Sequence, residues 1–182
     1  MRAVISPPEQ EAISLERAKR HLLIDDEADA AMDTDIEEGI VAAREKLEGA
    51  LHRPLLPQVC EVRADQLRDR IRLWCDVSGI ESVTYSDADG VDQVLPAAWC
   101  WVEGGVWLRI SGVAPVGSNV RVRFRCGAFP DPASVPRSLI RWMLLQLGSL
   151  DQIRQSVTHG QTFDVPTSYT DGLIDRYIVV EV

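Results

Sequence analysis

The spacing of apolar residues changes twice along the chain, and each change marks a new kind of element. In ISLERAKRHLLID, residues 13 to 25, Leu15, Ala18 and Leu22 recur at helical spacing behind Ser14, a side chain suited to an N-cap. The pattern predicts a short helix. Met32, Ile36, Ile40, Ala43, Leu47 and Leu51 then form one stripe, with Glu37, Arg44, Glu45 and Glu48 off it, which predicts a longer amphipathic helix. It should stop near His52: Pro54 disfavours helical backbone at Arg53, and histidine tolerates a left-handed cap better than most residues.

From residue 59 to 127 the period becomes two. VCEVRAD, RIRLWC, ESVTYSD, AAWCWVE, VWLRI and VRVRFRC alternate or run apolar between turn residues, which predicts about six strands. Asp89-Gly90 and Gly104-Gly105 are hairpin signals that require positive φ. The strands should form a small antiparallel sandwich or barrel inserted between helices. The helical period returns after Pro136. In LIRWMLLQL, residues 139 to 147, seven of nine positions are apolar, so this helix should be buried on nearly every side, partly against a neighbouring subunit. The last stretch, with Tyr169, Leu173, Ile174, Tyr177, Ile178, Val179 and Val180, is too apolar to be a solvating tail and should dock on something.

These elements give an α+β class: a helical core of two main helices, an inserted β region and an extended C-terminal docking segment. The expected organisation is one domain over 1–182. Within it lie N-terminal helices at 13–53, the β insertion at 59–127, a second long helix at 136–158 and the docking tail at 160–182. No stretch approaches the roughly 18 apolar residues of a membrane span. The N-terminus turns charged too early for a secretory leader, so a soluble cytosolic product is expected.

Charge narrows the function classes. The net charge is −9, and residues 1 to 58 hold 13 acidic side chains against 7 basic ones. Such a chain is a poor candidate for gripping phosphate backbones. Cys60, Cys75, Cys100 and Cys126 form no Cys-x-x-Cys pair and each sits in a strand-like segment, so they read as reduced core residues and not as zinc ligands. His21, His52 and His159 lie far apart, and no HExxH, Gly-x-Ser-x-Gly or phosphate-loop motif occurs. No catalytic residue, metal site or cofactor is expected.

Four clusters carry possible chemistry. Asp25, Asp26, Glu27, Asp29, Asp33 and Asp35 have the carboxylate density of a divalent-metal nuclease. Neither lysine, Lys19 or Lys46, supplies the Asp/Glu-x-Lys element such sites use, so a solvated acidic helix start is the preferred reading. Asp87, Asp89 and Asp92 look like a calcium loop but have Gly90 misplaced and no closing glutamate. Arg121, Arg123 and Arg125 share one face of a strand and should pair with carboxylates on the next. Trp99 and Trp101, with Trp107 across the Gly104-Gly105 turn, would stack sugars or bases if exposed; burial, in the core or against another subunit, is the preferred expectation.

The order of segments carries more than any single motif. ISLERAKRHLLID, the acidic helix start, the helix ending LHRPLLPQ, the hairpin GIESVTYSDADGVDQVL, VRVRFRCGAFPDPASVPRSLIRWMLLQL and the closing SYTDGLIDRYIVV follow one another in a recognisable sequence. In this the chain resembles the head–tail connector proteins of tailed bacteriophages, also called adaptor or head-completion proteins. It departs from them at His52, where the family usually has glycine, and in GSLDQIRQSV.

The resemblance implies a non-enzymatic virion component at the head–tail junction, assembled in the bacterial cytoplasm. It implies a homo-oligomeric ring, usually of twelve copies, below the portal protein. Such a ring extends the channel for double-stranded DNA without binding it sequence-specifically and offers a docking surface to a stopper or tail-completion protein. The resemblance brings no cofactor and no membrane, and it extends to related gene-transfer particles. Leu173, Ile174, Tyr177 and Ile178 are the expected portal-docking residues, and Trp142, Met143 and Leu145 the expected subunit contacts. The acidic N-terminal third is expected to line the lumen. Two alternatives remain at this stage. One is a carbohydrate-binding module using Trp99, Trp101 and Trp107; the other is a metal-dependent DNA-processing enzyme using Asp25 to Asp35.

Overall fold

The computed structural model describes residues 2–24, 30–112, 114–156 and 167–180, with side chains described outside 150–156 and 167–170. The chain divides into two compact units. One comprises residues 1–9 and 53–130, the other residues 10–52 and 131–182.

The first unit is the β region. Its strands are β1 (Arg2–Ser6), β2 (Gln58–Gln66), β3 (Arg70–Arg72), β4 (Val77–Ser86), β5 (Asp92–Val94), β6 (Cys100–Glu103), β7 (Trp107–Ile110) and β8 (Ser118–Cys126). They form a five-stranded sheet, β1-β2-β8-β4-β5, and a three-stranded sheet, β3-β7-β6, with every pairing antiparallel. Neither sheet closes on itself, so the barrel expectation is corrected. β5 is a strand additional to the expected six, and β1 was not expected at all: it brings the first residues of the chain back onto β2.

Strand β8 organises the larger sheet. Val120, Val122, Phe124 and Cys126 are all but fully buried, while the arginines between them point outward. This is the period-two alternation of a half-buried strand. The hairpin signals hold: Gly90, Gly104 and Gly105 all have positive φ. Gly127, just beyond β8, is required by close approach. A Cβ there would lie 2.7 Å from the Pro57 nitrogen and 2.8 Å from the Leu56 carbonyl carbon, both backbone atoms.

The second unit is helical, with α1 (Leu15–Leu22), α2 (Ala30–Leu51), α3 (Arg137–Ser156) and α4 (Thr167–Ile174). Ser14 caps α1, its hydroxyl accepting from the Arg17 N–H at 3.3 Å. The helix stops at Leu22, short of the expected Asp25, because Leu23 turns left-handed at φ 57°. Lys19 on α1 pairs with Asp33 in the first turn of α2. α2 ends as expected, with His52 left-handed at φ 56°.

The α2 stripe is buried from Ile36 to Leu51, but the expectation for its flank needs correcting. Arg44 is only 2% exposed and Glu48 4%. Arg44 Nε donates to both carboxylate oxygens of Glu11, at 3.1 and 3.0 Å, and its Nη1 donates to Glu48 at 3.1 Å. A guanidinium can enter an apolar unit when it brings its carboxylates with it.

α3 buries Leu139, Ile140, Trp142, Met143, Leu144 and Leu147 within the single chain. The apolar surplus expected for a neighbour is therefore mostly absorbed by the chain itself. The tail docks on its own unit too: the Val179 N–H donates to the Leu51 carbonyl at 2.9 Å, satisfying one of the open acceptors at the end of α2.

Two predictions follow from these contacts. Gly127→Ala should lower unfolding stability by about 2 kcal/mol or more, whereas Gly49→Ala, where a Cβ meets nothing within 4 Å, should raise it by about 0.5–1 kcal/mol. Urea midpoints of the two variants check the contrast. Arg44→Ala, which removes the arginine partner from buried Glu48, should cost about 3 kcal/mol in the same assay.

Candidate functional site

The arginine stripe of β8 is engaged as expected. Arg123 donates to Glu61 on β2 at 3.0 Å, Arg125 to Glu81 on β4 at 2.8 Å and Arg121 to Asp92 on β5 at 3.3 Å. Glu61 also accepts from Arg63 at 3.0 Å. Burial pushes the Glu61 carboxyl up, but hydrogen bonds and charge from Arg123 and Arg63 together outweigh it and hold the group below the usual carboxylate range.

The acidic hairpin is a turn and not an ion loop. Asp87 Oδ1 accepts from the N–H groups of Asp89 and Val91 at 3.0 and 2.9 Å, and its Oδ2 accepts from Gln93 at 2.8 Å. The Gln93 hydrogen bond, then that from Val91, keeps its carboxyl below the usual range. Of the N-terminal acidic cluster, Asp25, Asp26, Glu27 and Asp29 lie outside the described residues, as does His159. Among the described residues no three His, Cys, Asp or Glu side chains converge as metal ligands. None of the described helices is long and apolar enough to cross a membrane.

Cys60 and Cys126 lie buried on adjacent strands with their sulfurs 3.6 Å apart, and Cys100 is half-buried on β6. Cys75 is not in a strand as expected but in the bend before β4. Burial, with the Asp76 carboxylate beside it, pushes its thiol up to about 12, and burial also raises that of Cys100. A thiol so raised is a poor nucleophile at neutral pH.

The tryptophans depart from the core half of the preferred reading. Trp99 and Trp101 are 45% and 47% exposed, so neither is core. Trp99 closes a 3₁₀ turn, Ala97–Trp99, ahead of β6 instead of belonging to the strand. Trp101 stands opposite Arg109 in the β6–β7 pairing, and Trp107 opposite Glu103. The Arg70 guanidinium lies 4.0 Å from the centre of the Trp107 ring, which occupies the face a sugar would need.

The residues expected at interfaces divide by exposure. Trp142 and Met143 are buried inside their own unit, and only Leu145 of that group keeps accessible surface. Ile174 is likewise buried, while Leu173 and Tyr177 are half-buried and Ile178 and Val180 exposed. Of the residues singled out in the sequence, those at the end of the tail and on one face of the small sheet are thus the ones turned outward.

Neither a protein-family model nor a curated protein matches the sequence. Solved structures do. A chain in the structure "Neck of empty GTA particle computed with C6 symmetry" superposes with a TM-score of 0.75 at 19% identity, covering 100% of this chain and 97% of the other. A chain in "Virion of native gene transfer agent (GTA) particle" gives the same values. One in "Neck of native GTA particle computed with C12 symmetry" gives 0.69 at 20% identity with the same coverage. In fold, this chain is similar to a component of a phage-like particle neck. The likeness runs through both units, helices and sheets alike, and it agrees with the connector resemblance drawn from the order of segments.

Glu61 yields a pH prediction. Its folded-state carboxyl titrates below its unfolded value, so the stability it adds is present above the ordinary carboxylate range and is lost as pH falls through the folded value. Glu61→Gln should therefore lower stability at pH 7 and weaken the acid dependence of the midpoint between about pH 5 and pH 3. Urea titrations of both proteins across that interval measure it.

Proposed function

We propose that this chain is a head–tail connector subunit of a tailed phage or gene-transfer particle. It assembles into a ring below the portal protein, extends the DNA channel and presents the surface on which a stopper or tail component docks. The observation that carries the reading is full-length structural similarity to neck chains, at near-complete coverage in both directions. The sixfold and twelvefold symmetries of those neck structures support a ring of identical subunits. The role is structural and needs no bond-making chemistry.

Two physical features fit a conduit. The β unit holds ten basic and ten acidic residues, whereas the helical unit holds nine against eighteen, so the whole net charge of −9 sits on the helices. A duplex carries a charge about every 1.7 Å, and an acidic wall repels it instead of holding it. The end of the tail is an exposed apolar projection, with Ile178 and Val180 reaching solvent beyond the Val179 clip. In this reading that projection, with Leu173 and Tyr177 behind it, seats each subunit on the portal, and twelve weak seats give strong avidity.

Electron cryomicroscopy of purified particles should show density for this chain at the neck; density confined to the capsid shell or tail would overturn the reading. Ile178→Asp should leave the urea midpoint within about 0.5 kcal/mol of the unchanged protein. It should nonetheless reduce recovery of the chain on DNA-filled heads, measured by quantitative blotting of gradient fractions.

A further inference from the structure

The arginines of the β unit fall into two sets that differ in what holds them. Each arginine of the β8 stripe lies within hydrogen-bond distance of a carboxylate. On the three-stranded sheet Arg70 and Arg109 stand opposite each other across β3 and β7 and share Glu103, each at 3.7 Å, while Arg109 reaches Asp69 at 4.0 Å. Those separations are ion pairs without hydrogen bonds. Arg109 Nε is shielded from solvent and has no hydrogen-bond partner among the described residues.

Register places Trp101, Trp107 and Arg72 on the same face. Arg70 lies 4.0 Å and Arg72 5.9 Å from the centre of the Trp107 ring, and Trp101 is 47% exposed. Indoles set among guanidiniums are the composition of binding hot spots. An exposed patch of this kind marks a protein contact.

We propose that this face docks on the helical unit of a second copy of the same chain, against the flank of α2 that carries Glu38, Ala42 and Glu45. The proposal rests on the ring reading above and names the surface that closes the ring. Charge complementarity selects the occupant, since the helical unit carries the chain's entire net negative charge. Glu38 and Glu45 are exposed and lie two turns apart on one side of α2. Ala42 between them is exposed and small enough for a sheet to approach. The nearest cation to Glu45 is Arg44 at 3.9 Å, too far for a hydrogen bond. Carboxylates from this flank supply Arg70 and Arg109 with the charge-assisted hydrogen bonds they lack within their own chain. Two different surfaces of one chain joined in this way form a heterologous contact, the kind that generates closed rings.

A photo-crosslinking residue at position 101 of the full chain, incorporated into particles, tests the contact. The expected product has twice the chain mass, with its second attachment within α2. Attachment to another particle protein, attachment to DNA, or no adduct from particles that contain the chain overturns the proposal and leaves the neck reading standing. Absence of the chain from particles overturns both. A charge swap gives a second readout. Arg70→Glu with Arg109→Glu should reduce incorporation by about tenfold or more, and adding Glu38→Arg with Glu45→Arg to the same chain should restore it. Arg70, Glu38 and Glu45 are exposed while Arg109 is half-buried, so Arg70→Glu alone, with Glu38→Arg and Glu45→Arg as its rescue, is the set whose circular dichroism melts should match the unchanged protein; melts that match without restoration overturn the proposal.

Discussion

What the β unit can present to another molecule depends on one constraint, the strict alternation along β8. Four inward side chains, Val120, Val122, Phe124 and Cys126, fix the strand between β2 and β4. A one-residue slip would turn them outward and carry three arginines into the core. With register fixed, Arg121, Arg123 and Arg125 meet Asp92, Glu61 and Glu81. The larger sheet thereby neutralises its own outer face. On the smaller sheet Arg70 and Arg109 share Glu103 at ion-pair distance, and neither makes a hydrogen bond to a carboxylate among the described residues.

The helical unit solves the complementary problem. It holds twice as many acidic as basic residues, yet among the described residues its interior admits a charged group only at Arg44, Glu48 and Lys19, where opposite charges accompany it. Glu16, Glu37, Glu38 and Glu45 are left on the outside. A neutral β unit with one cationic, aromatic face and an acidic helical unit are two unlike surfaces on one chain, which is what a subunit joined head to tail requires.

Much of this was legible in the sequence because it followed from period and turn chemistry. Ser14, His52, Gly90 and the Gly104-Gly105 pair each do what their residue types dictate, and Arg123 and Arg125 meet carboxylates on the adjacent strands as expected, while Arg121 reaches past β4 to Asp92 on β5. β1 was missed because RAVIS is short and its pairing with β2 spans more than fifty residues, beyond the reach of a local pattern. Arg44 and Glu48 read as solvent-facing because the second carboxylate that Arg44 meets, Glu11, lies 33 residues away from it. Trp99 and Trp101 were expected in the core or against another subunit; the cations that accompany Trp101 on one face come from β3 and β7, and only the register of the small sheet brings them there. Of the three side chains assigned to a subunit contact on α3, Trp142 and Met143 are absorbed by the unit's own core and Leu145 keeps accessible surface.

The central claim is that this polypeptide acts through shape, as one segment of a collar between capsid and tail. Particles assembled in cells lacking the chain test it most directly, by counting tailed, DNA-filled heads in electron micrographs and scoring DNA delivery per particle. The account predicts heads without attached tails and a collapse of delivery. Tailed, filled particles that deliver DNA at the ordinary frequency would contradict it.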